Sequence, residues 1–175
     1  MSASAGLWED EALSLIRAAF AHARAGNAAL LADLLERGVP LDVRNERGDS
    51  LLMLASYHGR TEATRLLLLR GADAELANDR GQTPLQGAAF KGDREMVALL
   101  LEGKASVDGR SLDGKTPLMF AAMFDQVAIV ELLLAHGADA AARDVAGATA
   151  LSLANALGAA RAAAALGAAL ARRTP

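Results

Sequence analysis

The stretch from Asp79 to Leu101 reads DRGQTPLQGAAFKGDREMVALLL and carries the signals for a turn, a short helix, a tight loop and a second helix. Gly81 falls where a turn requires a positive φ, and Thr83 followed by Pro84 is typical of a capped helix start. Gly92 is expected to end the first helix, and Asp93 to cap the second. The second helix has an apolar face too broad for its partner helix to cover, so one such unit cannot bury itself.

The same pattern recurs at a fixed spacing along the chain. The turn glycines lie 33 residues apart, at Gly48, Gly81, Gly114 and Gly147. The hydroxyl residues that follow them keep the same step, at Ser50, Thr83, Thr116 and Thr149. Leucine triplets beginning at Leu66, Leu99 and Leu132 show that the register continues through the second helices. This spacing predicts a linear array of similar units.

A 33-residue period with Gly-x-Thr-Pro-Leu, Ala-Ala and Leu-Leu…Gly-Ala-Asp elements resembles the ankyrin repeat family. The motifs are clear from Asn45 to Asp139, and both ends look like degenerate repeats. Degenerate ends suit a solenoid, because a terminal unit has one face without a neighbour. The resemblance implies an all-α solenoid of helix-turn-helix units with short turn or hairpin tips, comprising about five repeats.

The register also predicts the domain organisation. We expect an N-terminal lead over residues 1–8 and one domain over residues 9–175, with units over about 9–43, 44–77, 78–110, 111–142 and 143–171. The acidic residues 9–11 predict that the first helix begins there. Asp125 replaces the mid-unit glycine of the fourth unit, and Gly103 stands one position before the exit glycine of the other units. The Ala-rich segment 159–170 is interpreted as a capping helix, with a mobile low-complexity tail as the alternative.

Composition narrows the functional classes. The chain has no cysteine, a formal net charge of −3 and no block of basic residues, so we expect neither disulfides nor nucleic-acid binding. It has no uninterrupted apolar run of about 18 residues and does not begin like a signal peptide, so we expect no membrane span and a cytoplasmic location. A strong bias towards Ala, Leu and Arg over Lys points to a GC-rich bacterial genome.

No arrangement of residues predicts catalysis. The three histidines, His22, His58 and His136, fall at different places in their units and are not expected to converge on a metal. The repeated Ser and Thr residues occupy helix caps, which gives their hydroxyl groups a structural role. We therefore expect no catalytic residue, cofactor or metal, and a protein that is not an enzyme.

The resemblance implies that partners bind in a concave groove lined by the turn tips and by the ends of the first helices. Transferred by register, the tip positions are Arg47, Asp49, Arg80, Gln82, Asp113 and Lys115, followed by Val145 and Ala148. The helix-end positions are Tyr57, His58, Phe90, Lys91, Met123, Phe124 and Leu157, together with Ala156. Tyr57, Phe90 and Phe124 are the expected anchors. The alternative for Phe90 and Met123 is that they pack between neighbouring units.

Five stacked units give a groove on the order of 40–50 Å long, which suits a protein partner better than a small substrate. The sequence thus predicts a non-catalytic protein–protein interaction module, monomeric when alone, that binds a protein of unknown identity. Acting as an inhibitor or immunity protein is one role within this class, and a general adaptor is another. The alternative is a structural or regulatory subunit that acts through complex assembly or self-association.

Overall fold

The computed structural model describes the backbone of residues 3–172 and the side chains of residues 10–172. These residues form ten helices in antiparallel pairs joined by tight loops. Their bounds are α1 Ala3–Ala25, α2 Ala28–Glu36, α3 Leu51–Tyr57, α4 Thr61–Leu69, α5 Pro84–Lys91, α6 Arg94–Glu102, α7 Pro117–Met123, α8 Val127–Ala135, α9 Ala150–Ala156 and α10 Ala160–Ala171. The predicted all-α solenoid is confirmed, and each predicted unit contains one pair of helices.

Four short tips connect the helix pairs, and all have the same hydrogen-bond pattern. Residues 45–49, 78–82, 111–115 and 144–148 each close with a bond from the first backbone N–H to the last carbonyl, 2.9–3.0 Å long. Gly81, with φ of 69°, occupies the left-handed position of its tip, as predicted. The residue that opens each tip also accepts bonds through its side chain: Asn78 Oδ1 accepts from the backbone N–H groups of Arg80 and Gln82.

The predicted helix caps are present. Ser50 Oγ accepts from Met53 N at 3.0 Å, and Asp93 Oδ1 accepts from Met96 N at 3.0 Å. At α5, Thr83 N also donates to Gln86 Oε1 at 2.9 Å, which completes a reciprocal capping box. Gln86 Nε2 donates onward to two carbonyls of the next tip, at Gly109 and Lys115, both at 2.9 Å. This buried amide therefore connects two neighbouring units.

The core is a layered stack of alanine and leucine side chains. Leu67, Leu100, Leu133 and Leu166 follow one another at 33-residue steps in the second helices, and each is fully buried. Alanines at the centres of the first helices, such as Ala88 and Ala121, are also fully buried. Their small side chains permit close approach of the neighbouring helices, which explains how a chain with few aromatic residues forms a continuous core.

The start of the chain differs from the sequence prediction. We expected a lead over residues 1–8 and a helix beginning at the acidic residues 9–11, but α1 begins at Ala3. The acidic residues lie beyond the first turn of α1, so they are not the charges that interact with its N-terminal dipole. Residues 1, 2 and 173–175 lie outside the described residues. The division into a lead and one domain stays a prediction.

The shifted glycine of the third unit leaves a different residue in the left-handed conformation. Gly71 and Gly137 have φ of 86° and 89°, and the register position between them is occupied by Lys104, with φ of 67°. A non-glycine residue in this conformation costs about 1–2 kcal/mol. At Gly103 a Cβ atom would lie 2.8 Å from two side-chain carbons of Leu68, so this glycine packs closely on that leucine.

The replacement of the mid-unit glycine by Asp125 has a structural role in the next unit. Asp125 adopts φ of 54°, a left-handed conformation that aspartate tolerates, as expected. Its Oδ1 accepts from Ala162 N at 2.8 Å, and its Oδ2 accepts from Arg161 Nε at 2.8 Å. Because α10 has no side-chain cap of its own, Asp125 caps α10 from the preceding unit.

The Ala-rich C-terminal segment forms α10 and packs against α8 and α9, which confirms the capping-helix interpretation. Ala162 and Leu166 are fully buried on the side that meets the stack. Ala164 and Ala168 are exposed. Small residues on the open side make a terminal unit tolerable to water.

The cap provided by Asp125 predicts a pH-dependent contribution to stability. Its hydrogen bond to Arg161 and the backbone bond to Ala162 hold the pKa of Asp125 below its ordinary value of 3.8. Since the folded state binds this proton less readily, the stabilisation is full above about pH 4 and is lost as the pH falls through the lowered pKa. Asp125→Asn should lower the melting temperature at pH 7, and its difference from the wild type should shrink on acidification.

The control for this experiment is Asp10→Asn, which changes an exposed carboxyl group of α1. It should melt like the wild type across the same pH range. Melting temperatures followed by circular dichroism from pH 7 to pH 2.5 give the comparison. A constant difference between Asp125→Asn and the wild type over that range would contradict the proposed role of the carboxylate.

Thr64 provides a second stability prediction. Its side chain is fully buried in α4, at the register position of Val97 and Val130, and its Oγ1 has no hydrogen-bond partner among the described protein groups. Thr64→Val keeps the shape and removes this unsatisfied hydroxyl, so it should raise the free energy of unfolding by about 1–3 kcal/mol in urea denaturation. Thr116→Val is the matched control, and it should destabilise because Thr116 Oγ1 caps α7. A destabilised Thr64→Val protein would contradict this interpretation.

Candidate functional site

The first helices end within one residue of matching register positions, so the side chains at their C-terminal ends form a row across four units. α3 ends at Tyr57, α5 at Lys91, α7 at Met123 and α9 at Ala156. We refer to the exposed side chains of this row as the helix-end ridge. It consists of Tyr57, His58, Phe90, Lys91, Phe124 and Leu157.

Neighbouring members of the ridge contact one another across the units. The rings of Phe90 and Phe124 meet edge to face with their centroids 4.8 Å apart. Lys91 Nζ lies 5.2 Å from the centroid of the Tyr57 ring, within the range of a cation–π interaction. Tyr57 and His58 are also arranged edge to face, at 5.7 Å. These contacts join the side chains of units two to four into one surface.

The exposed fractions of the side chains help to decide whether the aromatic residues are surface anchors or pack between neighbouring units. Phe90 is 40% exposed, close to the values of 38% for Tyr57 and 46% for Phe124. Phe90 therefore contributes to the surface as well as packing against Phe124, whereas the side chain of Met123 is half-buried. Leu157, which follows in the last unit, is 58% exposed. Exposed aromatic and aliphatic side chains in a continuous row are typical of an interaction site.

Two of the predicted tip residues are engaged within the fold. Lys115 Nζ lies 2.6 Å from Asp113 Oδ2 and 3.5 Å from Asp144 Oδ2 of the next tip, and its side chain is 19% exposed. The hydrogen bond to Asp113 raises the pKa of Lys115, and the bonds from Lys115 and Ser111 lower the pKa of Asp113. These ion pairs connect the tips of the fourth and fifth units. Because Asp113 and Lys115 already pair within the fold, a partner could contact them only as members of this ion-pair network.

The tips of the second and third units present charged and polar side chains. Arg47 and Arg80 are exposed, and Gln82 and Asp49 are half-buried. Asp49 Oδ1 accepts from Asn78 Nδ2 at 3.0 Å, which links these two tips. Arg47 and Arg80 are therefore the predicted tip residues that have the greatest freedom to meet a partner.

The tips of the fourth and fifth units are apolar at a position where earlier tips carry acids. Leu112 is 75% exposed and Val145 is 79% exposed, and they stand 33 residues apart. Glu46 and Asp79 occupy the same register position in the second and third units. The sequence prediction placed Val145 in the series of Arg47, Arg80 and Asp113, although the 33-residue step leads to Ala146, and it missed Leu112, the register counterpart of Val145.

Sequence reasoning also missed two cations beside the ridge. Arg24 is the first unit's counterpart of Tyr57 and Phe90 in the register, and it is exposed at the end of α1. Arg60 Nε donates to the Arg24 carbonyl at 2.9 Å, so the two residues lie at the junction of the first and second units. Extending the register into the degenerate first unit would have included Arg24. The register did not identify Arg60 as a surface cation, because its counterpart in the third unit is the cap residue Asp93.

Other surfaces of the described residues offer little chemistry. The described part of the chain contains no group of three or more His, Cys, Asp or Glu side chains placed to hold a metal ion. Within that same part, no helix has the length and apolar character needed to cross a membrane. An open cleft of about 430 Å³ lies between α4 and α6 and is lined by residues including Leu68, Leu69 and Leu99. Its lining belongs to second helices and the loops that follow them, and it shares no residue with the helix-end ridge.

Comparisons with known proteins agree with the architecture. A family model described as ankyrin repeats, in three copies, matches residues 15–111, and a single ankyrin repeat model matches residues 113–145. A Pseudomonas aeruginosa protein whose name describes it as an ankyrin repeat protein is 53% identical over 56 residues. The match covers 32% of this chain and 33% of that protein, so it spans about a third of each.

Proposed function

Because the chain belongs to the ankyrin repeat family, we propose that it is a non-catalytic binding protein that holds a protein partner along the helix-end ridge. The observation that carries this proposal is the continuous exposure of Tyr57, Phe90 and Phe124 on neighbouring units. Repeats of this family are generally protein–protein interaction modules, and these aromatic side chains are the type that dominates interface energetics.

The ridge supports the proposal better than the tips do. Leu157 continues the apolar surface into the last unit, whereas Asp113 and Lys115 are committed to the contact with Asp144. The exposed tip residues Arg47 and Arg80 are then supporting contacts beside the ridge. The helix-end positions contribute the binding energy, and the tips contribute selectivity through charge.

The proposal also includes the effect that this chain has on the protein that it binds. A monomer that covers a long stretch of its partner acts by occupying that surface, as an inhibitor or immunity protein would. The P. aeruginosa relative supports a bacterial origin, and we place the interaction in the cytoplasm. Loss of the partner's activity in a one-to-one complex would support inhibition, and unchanged activity would favour an adaptor.

The test of the ridge is the triple variant Tyr57→Ala/Phe90→Ala/Phe124→Ala. Removing three anchors that each contribute at least about 1 kcal/mol should weaken binding by about 100-fold or more. The wild-type chain is used to capture its partner from the source organism, and isothermal titration measures the affinity of each variant for that protein. Thermal melts and circular dichroism establish that the variant is folded.

The matched control removes three exposed leucines that lie off the ridge, in Leu13→Ala/Leu30→Ala/Leu69→Ala. This variant loses a comparable apolar surface and should bind the partner like the wild type. If the ridge variant is too unstable to measure, Phe124→Ala alone should still weaken binding. Undiminished binding by a folded ridge variant would overturn the assignment of the site.

A further inference from the structure

Four basic side chains gather around Tyr57 at one end of the helix-end ridge. They are Arg24, His58, Arg60 and Lys91, and all four are exposed. Arg60 Nε reaches the Arg24 carbonyl, His58 lies edge-on to Tyr57, and Lys91 Nζ lies 5.2 Å from the centroid of the Tyr57 ring. We refer to these four residues as the basic cluster. Its residues come from three successive units, so the cluster is assembled only when the array is folded.

The charged side chains of this cluster form no ion pair within 4 Å among the described residues. The six ion pairs of the described residues involve Arg37, Arg44, Arg70, Lys115 and Arg161 as cations, and none involves Arg24, Arg60 or Lys91. Asp93 is the acidic residue of the adjoining loop, and its Oδ1 is occupied in capping α6. Partial burial and then the charges of Arg24, Arg60 and Lys91 lower the pKa of His58, which reflects the positive potential at this place.

The opposite end of the ridge is apolar. Phe124 packs on Phe90, and Leu157 extends the surface into the last unit. Asp125, which follows Phe124 in the chain, is paired with Arg161. The tips also become apolar in the same direction, because the exposed Leu112 and Val145 of the fourth and fifth units replace the acids Glu46 and Asp79 of the second and third. The helix-end ridge itself changes from cationic to apolar along the array.

We propose that the helix-end ridge holds a segment of a protein whose one half is acidic and whose other half is apolar, with the acidic half on the basic cluster and the apolar half on Phe124 and Leu157. This inference rests on the proposed function and adds the chemistry of the partner and its orientation. The acidic half supplies the counter-charges that the cluster lacks, and the apolar half covers the exposed end of the ridge.

The dimensions of the ridge set the length of this segment. Four units from the second to the fifth give three spacings of about 8–10 Å, or about 24–30 Å in total. An extended chain covers that distance with about seven to nine residues. A ten-residue peptide is therefore long enough to contact both ends. The apolar end of the ridge favours a protein segment with an apolar half over a nucleic acid, which is charged along its whole length.

The test uses fluorescence anisotropy with three labelled ten-residue peptides of identical composition. Two have five acidic residues and five Leu or Phe residues in separate blocks, in the two possible orders, and the third has the same residues interspersed. One of the block peptides should bind the full chain at least tenfold more tightly than the interspersed peptide. Raising the salt concentration should weaken that binding, because the acidic half interacts through charge.

Two charge variants locate the acidic half. Arg24→Gln/Arg60→Gln/Lys91→Gln removes three charges of the basic cluster and should weaken the block peptide at least tenfold. Arg17→Gln/Arg65→Gln/Lys104→Gln removes three exposed charges elsewhere and should leave the affinity within about twofold of the wild type. If loss of the Arg60 contact destabilises the first variant in a thermal melt, Arg24→Gln/Lys91→Gln, which keeps the contact of Arg60 with the backbone carbonyl of residue 24, should still weaken binding.

Three results would overturn this inference: equal binding of the block and interspersed peptides, equal effects of the two charge variants, or tighter binding of a ten-nucleotide single-stranded DNA than of any peptide. The proposed function has a separate outcome. If a captured partner no longer binds the aromatic variant but still binds the variant that lacks the basic cluster, the ridge remains the proposed binding site and the acidic segment is rejected.

Discussion

The fold depends on the burial of each second helix by the unit that precedes it. Leu30, Ala63, Met96, Ile129 and Ala162 occupy the same register position in the five units. The last four, which each have a described unit on their N-terminal side, are 0–1% exposed, whereas Leu30, in the first described unit, is 52% exposed. Ala162 is buried in the last described unit, where α10 packs against α8 of the preceding unit, so the cover comes from the N-terminal side. A single unit cannot bury its own apolar surface, which is why the stability of the array depends on the interfaces between units.

Polar contacts across the same interfaces specify how the units stack. Arg44 donates to the Ala77 carbonyl and Arg110 to the Arg143 carbonyl, so the same side-chain contact recurs between different pairs of tips. Asp42, Glu75 and Asp108 each accept a backbone N–H from a residue 31 positions later, another repeated link. Burial raises the pKa of the Glu75 carboxyl above its ordinary value. The regular spacing of such contacts keeps the first-helix ends aligned, and the ridge is a consequence of that alignment.

Much of this scaffold could be predicted because its signals are local. Gly81, Thr83 and Pro84 specify a turn and a helix start through their own backbone preferences, and a 33-residue subtraction transfers the same structure along the chain. The candidate ridge residues followed from the same register. The stretch from Asp79 to Leu101 is thus mostly scaffold, and its free positions include Arg80, Phe90 and Lys91.

The parts that could not be predicted depend on contacts between distant residues or on departures from the repeat. Lys115 had the appearance of a free tip residue, but Asp144, 29 positions later, is part of its ion-pair network. The role of Asp125 depends on the absence of a cap residue at Ala159, in a different unit. Arg24 lies in a degenerate repeat, where the motif that would have aligned it is missing.

Hydrogen–deuterium exchange of the chain, alone and bound to its captured partner, tests most directly whether function resides at the ends of the first helices. Binding should slow exchange of backbone amides in residues 57–60, 90–93, 124–126 and 157–158. Binding should leave the exchange rates of residues 69–72 and 102–105, at the open cleft between α4 and α6, unchanged. Protection confined to this open cleft, with no change at the helix ends, would contradict this account.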